Sequence, residues 1–112
     1  MKRETHIRSG HGSGGKLMNE MIDGVIREIL GTENVQLDDS AILETKGGRI
    51  AFTTDSYTIT PIFFPGGDIG KLAVCGTVND LAVMGARPLW LSCALILEEG
   101  LAIDDLVKIL RS

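Results

Sequence analysis

Aromatic residues are scarce in this chain: one Trp, one Tyr and three Phe among 112 residues. A core built from it rests mostly on Leu, Ile, Val and Ala. Cysteine is scarce too. Cys75 and Cys93, eighteen positions apart, match neither a zinc-ligand nor a redox spacing. They read as reduced core cysteines of a cytoplasmic protein. Basic residues are few and scattered, 11 Lys and Arg against 15 Asp and Glu, for a net charge of −4. That balance argues against a nucleic-acid surface. No apolar run reaches the roughly 20 residues of a membrane span. The N-terminal MKRETHIRSGHG lacks the apolar stretch of a secretory signal. With no repeat, low-complexity tract or linker, the length suits one small domain, residues 1–112.

Against that plain background four carboxylates stand out: Asp38 and Asp39 in LDDSAIL, Asp55 in FTTDSYTITP, and Asp80 in GTVNDLAVMGA. Each sits among apolar or small residues, where a carboxylate is costly unless paired, hydrogen-bonded or bound to a cation. Taken singly, each reads equally well as a solvated turn, a locally bonded helix residue or a solvent-facing strand position. Taken together they suggest an acidic site for a cation. Magnesium takes oxygen ligands and usually keeps waters, one or two carboxylates bridging it to substrate phosphates. Extra carboxylates fit more than one ion on a triphosphate.

The periodicities place these residues. Residues 1–16 are polar and Gly-rich and read as a flexible arm. Lys16 to Leu30 repeats apolar residues at helical spacing, with Gly31 as a stop. Val35 to Glu44 reads as a strand in which Val35, Leu37, Asp39, Ala41 and Leu43 share a face, so that Asp38 and Asp39 project oppositely. Lys46-Gly47-Gly48-Arg49 is a hairpin signal leading to a second strand, Ile50 to Ile59, with Asp55 in its middle. Thr60 to Gly67 is a loop. Asp68 is suited to cap a helix from Ile69 to Met84, whose few polar side chains imply cover on most sides by a second domain or subunit. Leu89 to Leu97 is apolar on both faces, as a central strand is. Trp90, Leu91, Ile96 and Leu97 are accordingly core or interface. Leu101 to Ser112 closes the order α-β-β-α-β-α with a helix that lacks a stop signal, as in a piece of a longer chain.

Gly10-His11-Gly12-Ser13-Gly14-Gly15-Lys16 has the spacing of a P-loop but departs from one. Leu17 stands where Ser or Thr should hold magnesium, and only nine mostly polar residues precede Gly10, where a buried strand should be. Its chemistry still suits a phosphate. Glycines let backbone N–H groups approach an anion, Lys16 neutralises it, and the following helix presents its positive end. The loop reads equally as a Gly-rich terminus without a role. His6 and His11 read as exposed arm residues, and Arg87 as a surface residue.

GHGSGGK, LDDSAIL and FTTDSYTITPIFFPGGDIGKLAVCGTVNDLAVMGA, in this order, resemble the N-terminal domain of the HypE family of hydrogenase expression/formation proteins. That family belongs to the PurM-like, AIR synthase-related superfamily, and the resemblance spans nearly all of residues 5–112. It implies an α+β domain whose sheet joins that of a second subunit as a barrel, with ATP near the dimer cleft. It implies an ATP-dependent dehydratase. A partner carbamoyltransferase loads a C-terminal cysteine, and ATP converts the S-carbamoyl group to the thiocyanate that supplies cyanide ligands of nickel–iron hydrogenase. Iron-site scaffold proteins are further implied partners. Carried over by position, Gly12, Gly14, Gly15 and Lys16 match the loop that closes over the phosphates. Asp55 and Asp80 match nucleotide-handling acids, and Asp39 and Asp80, with Asp38 beside them, match the Mg²⁺ site.

The departure is one of extent. The family's second domain and cysteine tail are not in this sequence, and Cys75 and Cys93 do not match the carbamoylated thiol. Alone, the chain is expected to be inactive. Two alternatives stay open: a non-catalytic dimerisation or docking module, and another synthetase or kinase of the superfamily.

Overall fold

The computed structural model describes residues 4–112, so the first three residues of the expected arm lie outside the described residues. The chain forms two compact units. One comprises the N-terminal stretch through Asn34 together with Cys93–Ser112; the other is Val35–Ser92.

In the first unit Ser9–Gly12 is a 3₁₀ turn. Helix α1 (Lys16–Met21), a π segment (Ile22–Arg27) and α2 (Glu28–Leu30) then run without a break. The apolar spacing gave both ends of this run but could not reveal its widened central turn, because α and π turns bury nearly the same stripe. Gly31 ends the run with φ 64°, where a Cβ would be penalised. Thr32 N–H donates back to the Arg27 carbonyl at 2.9 Å, and the Arg27 guanidinium caps the Thr32 and Glu33 carbonyls. The last helix, labelled α4 below, spans Ile103–Arg111; acids in its first turn and bases in its last complement the helix dipole.

The arm is docked rather than loose. Ile7 N–H donates to the Leu101 carbonyl at 2.7 Å, Gly100 N–H to Ile7 at 2.8 Å, and Ile103 N–H to Thr5 at 2.9 Å. Ile7, Met21 and Leu106 form the buried core of this unit, flanked by Ile26, Leu97 and Leu110. The docking corrects a second expectation. His11 is only 5% exposed, because the 3₁₀ turn folds its ring back so that Arg8 N–H donates to Nδ1 at 2.9 Å. His6 is exposed, as expected.

In the second unit β1 (Phe63–Phe64) and β2 (Gly67–Asp68) pair antiparallel inside the segment expected to be loop. Pro65 and Gly66, with φ 93° at Gly66, have the residue pattern of a type II turn. Helix α3 (Ile69–Val83) follows, capped by Asp68, whose carboxylate accepts from Lys71 N–H at 3.0 Å. Gly85 (φ 71°) ends it, with Ala86 N–H donating to the Leu81 carbonyl. Gly47 and Gly48 both take positive φ, as the hairpin signal required.

The mixed helix and strand class stands, but the expected order of elements does not appear in the single chain. Segments 35–44, 50–59 and 89–97 form no β ladder among the described residues, and a bend at Asp39 breaks the strand alternation there. A strand exists only through a hydrogen-bonded neighbour, and among the described residues these three segments have no ladder partner. Their side chains are bare to match: Ile42 is 93%, Phe52 88% and Ile96 102% exposed. Trp90 and Leu91 are exposed as well, and no residue of α3 is buried. For the same reason Cys75 and Cys93, expected in a core, are free and exposed.

Candidate functional site

Two sets of residues were expected to form a site, and each lies within one unit. In the first unit the loop leaves the docked 3₁₀ turn and enters α1. Gly14 takes φ 73°, while a Cβ on Gly12 would meet nothing within 4 Å. Gly15 is the N-cap of α1 and no side chain caps it. Lys16 is exposed and pairs with Glu20 at 3.6 Å across one helical turn, a solvated contact that holds the ammonium weakly. The loop is thus open and glycine-lined, with a cation at its helical end. Both its flanks are held, by Ile7 before it and Met21 after it.

In the second unit the structure brings Asp55 and Asp80 together. The Asp80 carboxyl lies within interaction reach of the Asp55 carboxyl, and its hydrogen-bonding influence is the main reason the Asp55 carboxyl titrates above the ordinary carboxylate range. Desolvation and the Asp80 charge add to it, and the hydrogen bond from Tyr57 opposes it. Thr53 Oγ1 donates to Asp80 Oδ2 and Tyr57 Oη to Asp55 Oδ2, each at 3.5 Å. Both carboxylates are exposed, so a ligand can reach them.

Asp38 and Asp39 do not join this pair. Asp38 accepts from Gln36 Nε2 at 3.1 Å. Among the described residues no three acidic, His or Cys side chains form a metal-competent group. Of the four carboxylates expected to gather, Asp55 and Asp80 do so among the described residues and Asp38 and Asp39 do not. Sequence reasoning missed Thr53 and Tyr57 as neighbours of the pair. The signal was available: Thr53, Asp55 and Tyr57 alternate, so an extended backbone places all three on one side.

The family model described as AIR synthase related protein, N-terminal domain, matches residues 37–112. The chain is 53% identical over 113 aligned positions to the carbamoyl dehydratase HypE of Rhodobacter capsulatus, covering 98% of this chain and 33% of that protein. It is 48% identical to the carbamoyl dehydratase HypE of Escherichia coli, covering 96% of this chain and 34% of that protein. Among solved structures it is similar to the hydrogenase maturation protein HypE in complex with ATP, with a TM-score of 0.80 and 50% identity, over 91% of this chain and 30% of that one. The chain thus spans about a third of the length of these relatives.

Proposed function

The chain belongs to the AIR synthase related protein N-terminal domain family, and from that premise we propose that it is the ATP-handling N-terminal part of a carbamoyl dehydratase of nickel–iron hydrogenase maturation. The observation that carries this reading is the Asp55–Asp80 carboxyl pair, set within the family-matched residues. Its donor set is all oxygen, with the Thr53 hydroxyl alongside. Two carboxylates held this close would gain from a dication bound to them. The set fits Mg²⁺, which commonly takes one or two carboxylates and completes its shell with water and phosphate oxygens.

When bound, Mg²⁺ would neutralise charge on the triphosphate. The chain's own residues do the rest. Asp55 and Asp80 fix where the charge-neutralised phosphates lie. Gly12, Gly14 and Gly15 expose backbone N–H groups, and Lys16 supplies a cation for the phosphate oxygens. The chemistry served is dehydration of an S-carbamoyl cysteine to a thiocyanate. An amide oxygen is a poor leaving group until phosphorylation turns it into phosphate, which is why a hydrolysable triphosphate is needed.

A second reading rests on a separate observation, the bare apolar segments and the uncovered α3. We propose that this domain forms a homodimer in which the 35–44, 50–59 and 89–97 segments pair into a barrel-like sheet. Such pairing would satisfy backbone groups that otherwise face water and would cover Ile42, Phe52 and Ile96. A carbamoyltransferase and iron-site scaffold proteins are the proposed partners of the complete enzyme, in the cytoplasm.

Isothermal titration of ATP, with and without Mg²⁺, tests the first reading. The wild-type chain should bind ATP in a Mg²⁺-dependent manner, and Asp80→Asn should bind it at least tenfold more weakly. Equal heats from the two proteins would overturn the role given to Asp80. Light scattering tests the second. A dimer should persist in the Asp55→Asn/Asp80→Asn variant, and a monomer at every concentration would sink it.

A further inference from the structure

We infer that Tyr57 is a positioning residue for the carboxyl pair, acting through Asp55 and seated in a notch that α3 leaves at Gly76; the inference rests on reading Asp55 and Asp80 as nucleotide-handling carboxylates. Gly76 lies in the interior of α3, where glycine weakens a helix by its excess backbone freedom. The packing explains its presence. A Cβ on Gly76 would overlap the Tyr57 hydroxyl and come within 2.8 Å of Cζ and 3.1 Å of Cε1. No residue with a side chain lets the phenol end of Tyr57 lie there.

The register follows from the two backbones. Asp80 is four residues after Gly76, about 6 Å along a helix at 1.5 Å per residue. Asp55 is two residues before Tyr57, about 6.6 Å along an extended chain at 3.3 Å per residue. The two spacings match, so seating Tyr57 at Gly76 delivers Asp55 to Asp80. Tyr57 Oη also donates to Asp55 Oδ2 at 3.5 Å. That bond is long, so the close fit at Gly76, more than the bond's strength, defines where the hydroxyl is. Tyr57 is half-buried while Asp55 is exposed. A carboxylate free to swing into water is thereby tied to a side chain that is not free to move. Thr53, on the same side of the segment, holds Asp80 by the same means.

The test uses the whole chain and four variants: Tyr57→Phe, Gly76→Ala, Asp55→Asn and Asp55→Asn/Tyr57→Phe. In isothermal titration with ATP and Mg²⁺, Tyr57→Phe should weaken binding about 2- to 3-fold, the low end for one hydrogen bond because this one is long. Gly76→Ala should weaken it at least as much, because it expels the ring end. The double variant should bind like Asp55→Asn alone, since the hydroxyl acts through that carboxylate. Wild-type affinity in Tyr57→Phe, or a further loss in the double variant, would overturn the inference. The Hα–Hβ couplings of Asp55, measured without nucleotide, report whether its χ1 occupies one rotamer or averages over several. They should show one rotamer in the wild type and averaging in Tyr57→Phe. Equal averaging in both overturns the positioning role. A wild-type chain that binds no ATP overturns the nucleotide reading instead, so the two failures are told apart. Should Gly76→Ala not fold, Tyr57→Phe still decides the matter.

Discussion

Leu106 is 1% exposed and lies in one cluster with Ile7 and Met21, the residues that flank the glycine loop. Leu106→Ala removes three carbons from that cluster. At about 0.8 kcal/mol per buried methylene the transfer cost alone is about 2.4 kcal/mol. Incomplete collapse around the cavity raises the expected loss to about 3–4 kcal/mol. A domain of this size holds roughly 5–15 kcal/mol in total, so the variant should survive with little margin. With a urea dependence of roughly 1–3 kcal/mol per molar, the unfolding midpoint should fall by about 1–4 M. Circular dichroism in urea reads this directly, with Glu33→Ala as control: its side chain is exposed and outside the core and the three apolar segments, and its cost should lie within about 0.5 kcal/mol. The loop should loosen as the core does, weakening Mg²⁺-dependent ATP binding while Asp55 and Asp80 remain unaltered. A Leu106→Ala midpoint no lower than that of Glu33→Ala would refute the view that this core clamps the loop.

Asp68→Ala removes the carboxylate that accepts from Lys71 N–H at 3.0 Å. It should cost about 1 kcal/mol, read as a lower urea midpoint, and Asp68→Asn should restore most of it. Gly31→Ala forces a Cβ into the left-handed region at φ 64°; a loss of about 1 kcal/mol is expected by the same assay. The Asp55 carboxyl titrates above the ordinary carboxylate range, chiefly through the hydrogen-bonding influence of the Asp80 carboxyl. A raised folded-state value favours folding fully below the ordinary carboxylate range, and that contribution is lost as pH rises through the raised value. The stability difference between wild type and Asp55→Asn should therefore shift against the wild type as pH climbs through that window. A pH-independent difference between the two midpoints would contradict the paired geometry.

The legibility of the chain varied with the reach of the interactions involved. Asp68 as a cap, Gly31 as a stop, and Gly47-Gly48 as a turn were readable because cap and turn chemistry acts within a few residues. The start of α3 at Ile69 and the run from Lys16 to Leu30 followed from the same signals plus apolar spacing. His11, expected to be exposed, is buried because the 3₁₀ turn brings its ring back to Arg8 N–H, a turn that helix and strand periodicities do not reveal. Asp55 and Asp80 were named as site residues by resemblance, yet their pairing at 25 residues' separation could not be read from spacing. Asp39 and Asp38 were named with them and remain outside the pair.

By itself the sequence determined the local frame: where helices begin and end, which glycines bend the chain, and which strings mark the family. These depend on backbone dihedrals and on hydrogen bonds that close within one or two turns. Only the tertiary structure decided which carboxylates meet, that Tyr57 lies over Gly76, and that the glycine loop is clamped at both ends. Those facts depend on matching an extended rise to a helical rise and on burying Leu106 between distant segments. Neither quantity is written in any one stretch of residues. The three apolar segments sit between the two cases. Their composition calls for sheet, a sheet requires a hydrogen-bonded neighbour, and among the described residues these segments form no ladder.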